Sequence, residues 1–343
     1  MTSPPSPLVE LGWDDRLAAL ANDAEEGTEP GRVLRVDRGL VTVRTEAETL
    51  RAVPPDEPIA TGDWVMVANG TDGPVVSTIL PRRSAFVRGQ SLEGVARGEQ
   101  VIAANVDSVF VVHALTNGPN PRRLERELVL VYESGAMPVV VLTKADLVDD
   151  VDDAVAIVQA VAAALDVVVA SGVTGQGVEE LRKYAQAGRT VALIGPSGVG
   201  KSTLVNALVG DTVQATGDVR TGDQRGRHTT TARELIILPG GGVLLDTPGL
   251  RAVSLWDADE GLSRAFADIE ELAMKCKFSD CAHDTEPGCA VQAAIERGEL
   301  DPARLDSYRR LDQELDAAAR RRDARIMSRG VREMYKIRDK PKN

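Results

Sequence analysis

From residue 31 the chain reads as short apolar runs broken at close intervals. Arg32–Val36, Leu40–Arg44, Arg51–Val53, Asp63–Val67 and Val75–Leu80 are separated by Asp37-Arg38-Gly39, Pro54-Pro55, Thr61-Gly62 and Asp72-Gly73-Pro74. Five short strands with turn residues at this spacing predict a small closed barrel, for which the OB-fold is the commonest five-stranded form. Further on the texture changes to longer periods. Val106 to His113 is an apolar strand, and Asn120-Pro121 opens a helix with Leu124, Leu128 and Val131 on one face. Pro138 to Leu142 reads as a strand, Asp150 to Leu165 as a helix, Val167 to Ala170 as a strand and Val178 to Ala187 as a helix. Val191 to Ile194 is a buried strand, followed by a helix from Lys201 to Val209, and Gly242 to Asp246 is a further strand. Strands alternating with helices predict a parallel sheet covered by helices on both faces. Near the end, Asp301-Pro302 caps a helix with Leu305, Tyr308, Leu311 and Leu315 on one face.

The expected organisation is multi-domain. An acidic, mostly disordered leader spans 1–30, with one short helix around Asp14 to Ala21, and the barrel spans 31–82. The α/β domain covers 83–252, a mainly helical domain 253–315, and a basic tail 316–343. A chain of 343 residues with 43% hydrophobic and 27% charged content is long enough for two or three cored domains. The net charge of −12 argues against general affinity for nucleic acid, but the charge is unevenly placed. Residues 1–30 carry seven acids against one base, and residues 317–343 carry ten bases against three acids, which predicts one directed polyanion contact at the tail. Arg32, Arg35, Arg38, Arg44 and Arg51 could line an oligonucleotide face on the barrel or could simply be solvated, since Trp64 is the sole aromatic in the runs available for stacking. No apolar run reaches the length of a bilayer and the N-terminus has no basic-then-apolar leader, so a cytoplasmic protein without a membrane partner is expected.

Between the Val191–Ile194 strand and its helix stands Gly195-Pro196-Ser197-Gly198-Val199-Gly200-Lys201-Ser202-Thr203, a complete P-loop pattern. Backbone N–H groups of such a turn and the positive end of the helix converge on a β-phosphate. Lys201 reaches the β/γ oxygens, and Ser202 offers its hydroxyl to Mg²⁺. Downstream, Asp246-Thr247-Pro248-Gly249 ends an apolar strand, where Asp246 can hold Mg²⁺ through water and the Gly249 N–H can sense a γ-phosphate. The base-reading element lies upstream instead of downstream, as Thr143-Lys144-Ala145-Asp146. A carboxylate at Asp146 accepts from guanine N1–H and N2–H₂, donors that adenine lacks, so GTP is expected over ATP. Ala170-Ser171-Gly172 fits the backbone element behind guanine O6. The order of these motifs is a circular permutation of the usual GTPase order.

All three cysteines fall in Cys276-x4-Cys281-x-His283-x5-Cys289. Three thiolates and an imidazole in so short a stretch predict a closed, tetrahedral, structural Zn²⁺ site, one per chain. Three cysteines cannot pair evenly into disulfides, and a cytoplasmic chain keeps them reduced.

Taken together these motifs resemble the circularly permuted GTPase family of ribosome small subunit-dependent GTPase A. The resemblance covers about residues 31–315 and includes Ala104-Asn105-Val106-Asp107 and Gly226-Arg227-His228-Thr229-Thr230. It implies an N-terminal OB domain, a permuted GTPase and a C-terminal zinc domain, acting late in maturation of the small (30S) ribosomal subunit. It also implies hydrolysis of GTP to GDP and phosphate stimulated by that subunit, contact with its rRNA, and a monomer. Leu250 follows the switch glycine where a Ras-like enzyme has its water-orienting glutamine nearby, so the water needs another partner. The resemblance points to His228, whose imidazole suits that task, and to Thr230 as the switch threonine on Mg²⁺. One departure is Thr143 at a position where such families usually carry Asn; it is expected to lose an amide that contacts the base and ties loops together. Two other readings stay open: an RNA-binding module with a regulatory nucleotide clamp, and a P-loop kinase or ATPase, which Asp146 and the Asp-Thr-Pro-Gly switch disfavour.

Overall fold

The computed structural model describes residues 6–88, 100–162, 164–210, 234–246 and 258–338, with the main chain alone for Asp246 and 321–338. The chain divides into two units, Met1–Val253 and Ser254–Asn343.

The first unit opens with two short helices, α1 (Pro7–Glu10) and α2 (Asp15–Ala21), then five strands: β1 (Glu29–Val36), β2 (Val41–Thr45), β3 (Thr49–Ala52), β4 (Trp64–Gly70) and β5 (Gly73–Ile79). β1 pairs antiparallel with β2 and β4, β2 with β3, and β4 with β5. Just past β3, Val53 bridges in parallel to Val75 of β5, with Val76 N–H donating to Val53 O at 2.9 Å, which closes the strands into a ring. Alternate residues of β2 point inward, and Val33, Val41, Val43, Val65 and Val67 fill the ring. Each such valine removed from water contributes about 1.5–3 kcal/mol. The five predicted runs all fall on these strands, because each is a short apolar or β-branched run bounded by turn residues.

There follow β6 (Ala85–Arg88) and β7 (Gln100–Ala104), an antiparallel pair, then β8 (Ser108–Ala114), α3 (Pro121–Glu133), β9 (Met137–Thr143), α4 (Asp152–Val161) and β10 (Val167–Val169). α5 (Val178–Arg182), β11 (Thr190–Ile194), α6 (Lys201–Val209), β12 (Glu234–Ile237) and β13 (Val243–Asp246) complete the unit. Strand order is β10-β9-β8-β11-β13-β12, parallel except for β12. β12 also pairs antiparallel with β1 through Arg35 and Glu234, so ring and sheet are one hydrogen-bonded surface. Asn120 caps α3 by accepting from Arg123 N–H at 3.1 Å, as its position before Pro121 predicts. The pattern did not reveal β6, β7 or β12. They are short, and the Gly- and Arg-rich stretch between β6 and β7 read as loop alone.

Two expectations need correction. Residues 6–30 are not a disordered leader. Acidic composition obscured the apolar set Leu8, Leu11 and Leu17, which is buried, and Trp13 meets Trp64 edge-on at 5.1 Å. The segment is fastened at several points: Gly188 N–H donates to Glu10 O at 3.1 Å, Ser6 Oγ donates to Glu46 at 2.5 Å, and Asp14 pairs with Arg83. Arg32, in turn, does not line a face for oligonucleotides. It is 1% exposed, stacked 5.2 Å over Trp64, and its guanidinium donates to Leu11 O, Asn105 O (3.1 Å) and Gly62 O (3.4 Å). Burial pushes its pKa down to about 10, which leaves it charged at neutral pH. Arg35 and Arg51 are both engaged by Asp37.

The second unit comprises α7 (Asp259–Ala265), α8 (Ala267–Ala273), α9 (Ala290–Glu296) and α10 (Pro302–Arg338). Phe266 is fully buried under Tyr308 (5.5 Å, edge-on) and Arg304 (4.2 Å), and Arg304 forks onto Asp268 at 2.9 and 3.0 Å. Leu305, Leu311 and Leu315 are buried, as the helical spacing predicts, and the helix runs on as one element into the arginine-rich segment. Among the described residues no helix is long and apolar enough to cross a membrane.

Arg32→Ala takes the guanidinium from Leu11 O and Asn105 O and empties a buried site, while Gly62 O keeps its bond from Asn105 Nδ2 at 3.0 Å. It should lower the urea unfolding free energy by about 2–4 kcal/mol, far more than the ~0.5 kcal/mol expected for the exposed Arg38→Ala.

Candidate nucleotide and metal sites

Parallel strands deliver their carboxyl ends to one edge of a sheet, and a ligand binds in the crevice outside those ends. Here β8, β9, β10 and β11 end at Ala114, Thr143, Val169 and Ile194, and β13 ends at Asp246. The P-loop leaves β11 through Gly195, whose φ is +136° and whose missing Cβ would lie 2.3 Å from Val112 O of neighbouring β8. Only glycine fits there. Ser197, Gly198, Ser202 and Thr203 are exposed around the turn, whereas Val199 is buried beneath it. Lys201 Nζ donates to Gly195 O at 2.8 Å and to Pro196 O, so the ammonium folds back over the loop that would hold a phosphate.

The predicted base-reading residues converge on the same edge. Lys144 takes the left-handed conformation (φ +62°) and turns the chain out of β9, and Ala145 N–H donates to Ala170 O at 3.2 Å, joining the loops after β9 and β10. Ser171 is fully buried. Its hydroxyl donates to Asp146 Oδ1 at 2.5 Å and accepts from the N–H groups of Val173 and Thr174, both at 3.2 Å. A hydroxyl has one hydrogen and two lone pairs; all are in use, so the exposed Asp146 carboxylate is held in one orientation.

Thr143 departs from its expectation. Its Oγ1 lies 2.5 Å from Val199 O of the P-loop and 3.1 Å from His113 O of β8, and is buried. The hydroxyl therefore keeps the tie between base-reading and phosphate loops that loss of an amide was expected to remove. Sequence reading missed the support behind it: His113 Nε2 meets Glu127 Oε2 at 2.9 Å, and Glu127 Oε1 accepts from Arg123 Nε at 3.0 Å, with His113 and Glu127 buried. A carboxylate beside Leu124, Leu128 and Val131 on one helix face was the available signal. His228, Thr229, Thr230 and Thr247 to Gly249 lie outside the described residues, as does the side chain of Asp246.

In the second unit the ligand atoms of Cys276, Cys281, His283 and Cys289 lie within 4.8 Å of one another. His283 Nδ1 stands 3.6 Å from the sulfurs of Cys276 and Cys289, which are 3.9 Å apart. Four ligands on arms of about 2.3 Å around a tetrahedral ion stand about 3.8 Å from each other, so the cage fits a metal ion. The loop is preset for this: His283 has φ +60°, and its carbonyl accepts from Gln292 and Arg309, both at 2.5 Å. Ala290 N–H donates to the Cys276 sulfur at 3.3 Å and Gln292 N–H to the Cys289 sulfur at 3.4 Å, so two of the ligand atoms are oriented by the main chain. Burial holds the His283 imidazole below its ordinary pKa, which keeps the ring neutral and able to ligate.

Comparison with known proteins returns a consistent set. Residues 79–256 match the family model described as RsgA GTPase. Proteins named small ribosomal subunit biogenesis GTPase RsgA are 49% identical in Streptomyces avermitilis (93% of this chain, 89% of that protein) and 48% identical in Streptomyces coelicolor (97% and 93%). Among solved structures, YjeQ from Thermotoga maritima superposes with a TM-score of 0.63 at 27% identity, over 84% of this chain and 98% of that one. YloQ, described as a circularly permuted GTPase, gives 0.61 at 25% identity, over 86% and 97%.

Thr143→Val removes one buried hydrogen bond and leaves Val199 O without its partner, so guanine-nucleotide affinity should fall about tenfold in a fluorescence titration with labelled GDP. Cys281→Ser should lower bound metal per chain, measured by atomic emission, and reduce the thermal stability of the second unit. Full retention of metal would contradict the ligand set.

Proposed function

Since the chain belongs to the RsgA GTPase family, we propose that it is a GTPase that binds the small ribosomal subunit and assists its late maturation, hydrolysing GTP to GDP and phosphate with stimulation by that subunit. The observation that carries this reading is the meeting of the Asp146–Ser171 pair and the P-loop at one carboxyl edge, tied by Thr143. In the proposed reaction Asp146 reads the guanine N1–H and N2–H₂, and the amides of Gly198, Val199, Gly200 and Lys201 hold the β-phosphate. Lys201 then leaves its carbonyl acceptors for the β/γ oxygens. Ser202, Thr230 and Asp246 would hold Mg²⁺, which would supply positive charge against the triphosphate. His228 orients the attacking water and takes its proton as the water oxygen bonds to the γ-phosphorus and the β–γ bridging oxygen departs with GDP. Gly249 senses the γ-phosphate through its N–H.

Around this centre, we read residues 31–82 as an OB barrel, 83–252 as the permuted GTPase and 253–315 as a zinc domain, with the tail at 316–343 a contact for rRNA. The closed five-stranded ring and its β3–β5 parallel bridge support the OB reading. The three-cysteine, one-histidine set and its tetrahedral spacing support a structural Zn²⁺. A cytoplasmic monomer fits a chain whose partner is the ribosomal subunit.

Turnover of saturating GTP should be slow alone and rise many-fold with purified small subunits, but not with large ones. Tight subunit binding without stimulation would replace this reading with an RNA-binding clamp. His228→Ala should remove at least a hundredfold of the stimulated rate while GDP binding persists; unchanged turnover would remove His228 from the mechanism.

A further inference from the structure

Buried Arg32 borders a cavity of about 30 Å³ in the first unit, whose walls come from every segment that meets there. Arg16 belongs to α2, Trp64 to β4, Arg83 to the connection after the ring, Asp107 to the segment just before β8 and Thr190 to β11. Three arginines, Arg16, Arg32 and Arg83, and one acid, Asp107, are among the residues that line it. That carboxylate already accepts from Thr190 N–H at 2.7 Å and Arg189 at 3.1 Å. Arg83 is matched by Asp14, and Arg16 donates to Pro81 O at 3.1 Å. Arg32 differs from Arg83 in its partners and from the exposed Arg16 in its burial. Its acceptors are three neutral carbonyls, and among the described residues no carboxylate forms an ion pair with it. Thr190, 1% exposed, lines the same cavity, and its Oγ1 is buried without a hydrogen-bond partner.

Asp107 and Asp63 favour the Arg32 cation from a distance, but a buried hydroxyl and a buried cation without a contact ion pair each still cost free energy unless something answers them. Water answers the hydroxyl but brings no charge. The cavity has room for two waters or one halide. We propose that it is a binding site for a small monovalent anion, a halide-sized ion accepting from the Arg32 guanidinium and the Thr190 hydroxyl. The ion would complete the junction between the N-terminal segment, the ring and the nucleotide sheet, and would make that junction sensitive to which salt is present as well as to how much. The proposal does not depend on the GTPase reading, since none of these residues belongs to the nucleotide site.

The full chain can be melted at one fixed ionic strength in sodium chloride, sodium bromide and sodium gluconate, the last having an anion too large for the cavity. Chloride and bromide should raise the midpoint saturably by about 2 °C or more over gluconate. Thr190→Val, which keeps the shape and deletes the hydroxyl, should lose most of that rise. Crystals soaked in bromide should give an anomalous peak beside Arg32 and Thr190, a readout independent of how the variant folds. Midpoints that follow ionic strength alone, or a cavity holding water without anomalous signal, would overturn the proposal.

Discussion

The nucleotide site depends on the parallel register of β9, β8, β11 and β13. Val191 to Ile194 of β11 pair with Ser108 to Val111 of β8, and Val111 with Val140 of β9, so the strands end at nearly the same level. Loops from separate stretches of sequence then meet without any one of them having to fold back. Circular permutation is tolerated for the same reason. Spatial order in the sheet decides which loops are neighbours, and the sheet does not record which strand the chain visited first. Gly195 shows how little slack this leaves, since a single added methyl would strike the backbone of β8.

Short-range hydrogen bonding sharpens what the register brings together. The Ser171 hydroxyl and two amides fix Asp146, and Thr143 fixes the P-loop to the strand beside it. Thr143 is instructive because side-chain chemistry substitutes for side-chain length. A hydroxyl close to the main chain reaches Val199 O where an amide would reach farther toward a base.

Much of this was legible in the sequence. The five strands of the ring, the β/α alternation, the P-loop and the Cys/His cluster announce themselves through period, turn residues and ligand spacing, all of which are local. What escaped was non-local. Arg32 reads as one more surface arginine until its three carbonyl acceptors, drawn from positions 11, 62 and 105, close around it. The N-terminal segment reads as disordered because seven acids dilute Leu8, Leu11, Trp13 and Leu17, and only the ring and Gly188 reveal what those apolar residues pack on. β12 is four residues long, too short for its period to speak, and its place becomes clear only from β1 and β13 on either side.

The contact between β1 and β12 bears on how the protein can be divided. In the first unit β12 is the outermost strand of the nucleotide sheet, and the Arg35–Glu234 pairing caps it with the first strand of the ring. An uncapped strand presents a row of unpaired N–H and C=O groups that invites another chain. The ring thus acts as a molecular bumper. A fragment cut cleanly at the start of the nucleotide half would carry a raw sheet edge, and its first tendency in solution would be to find a second copy of itself.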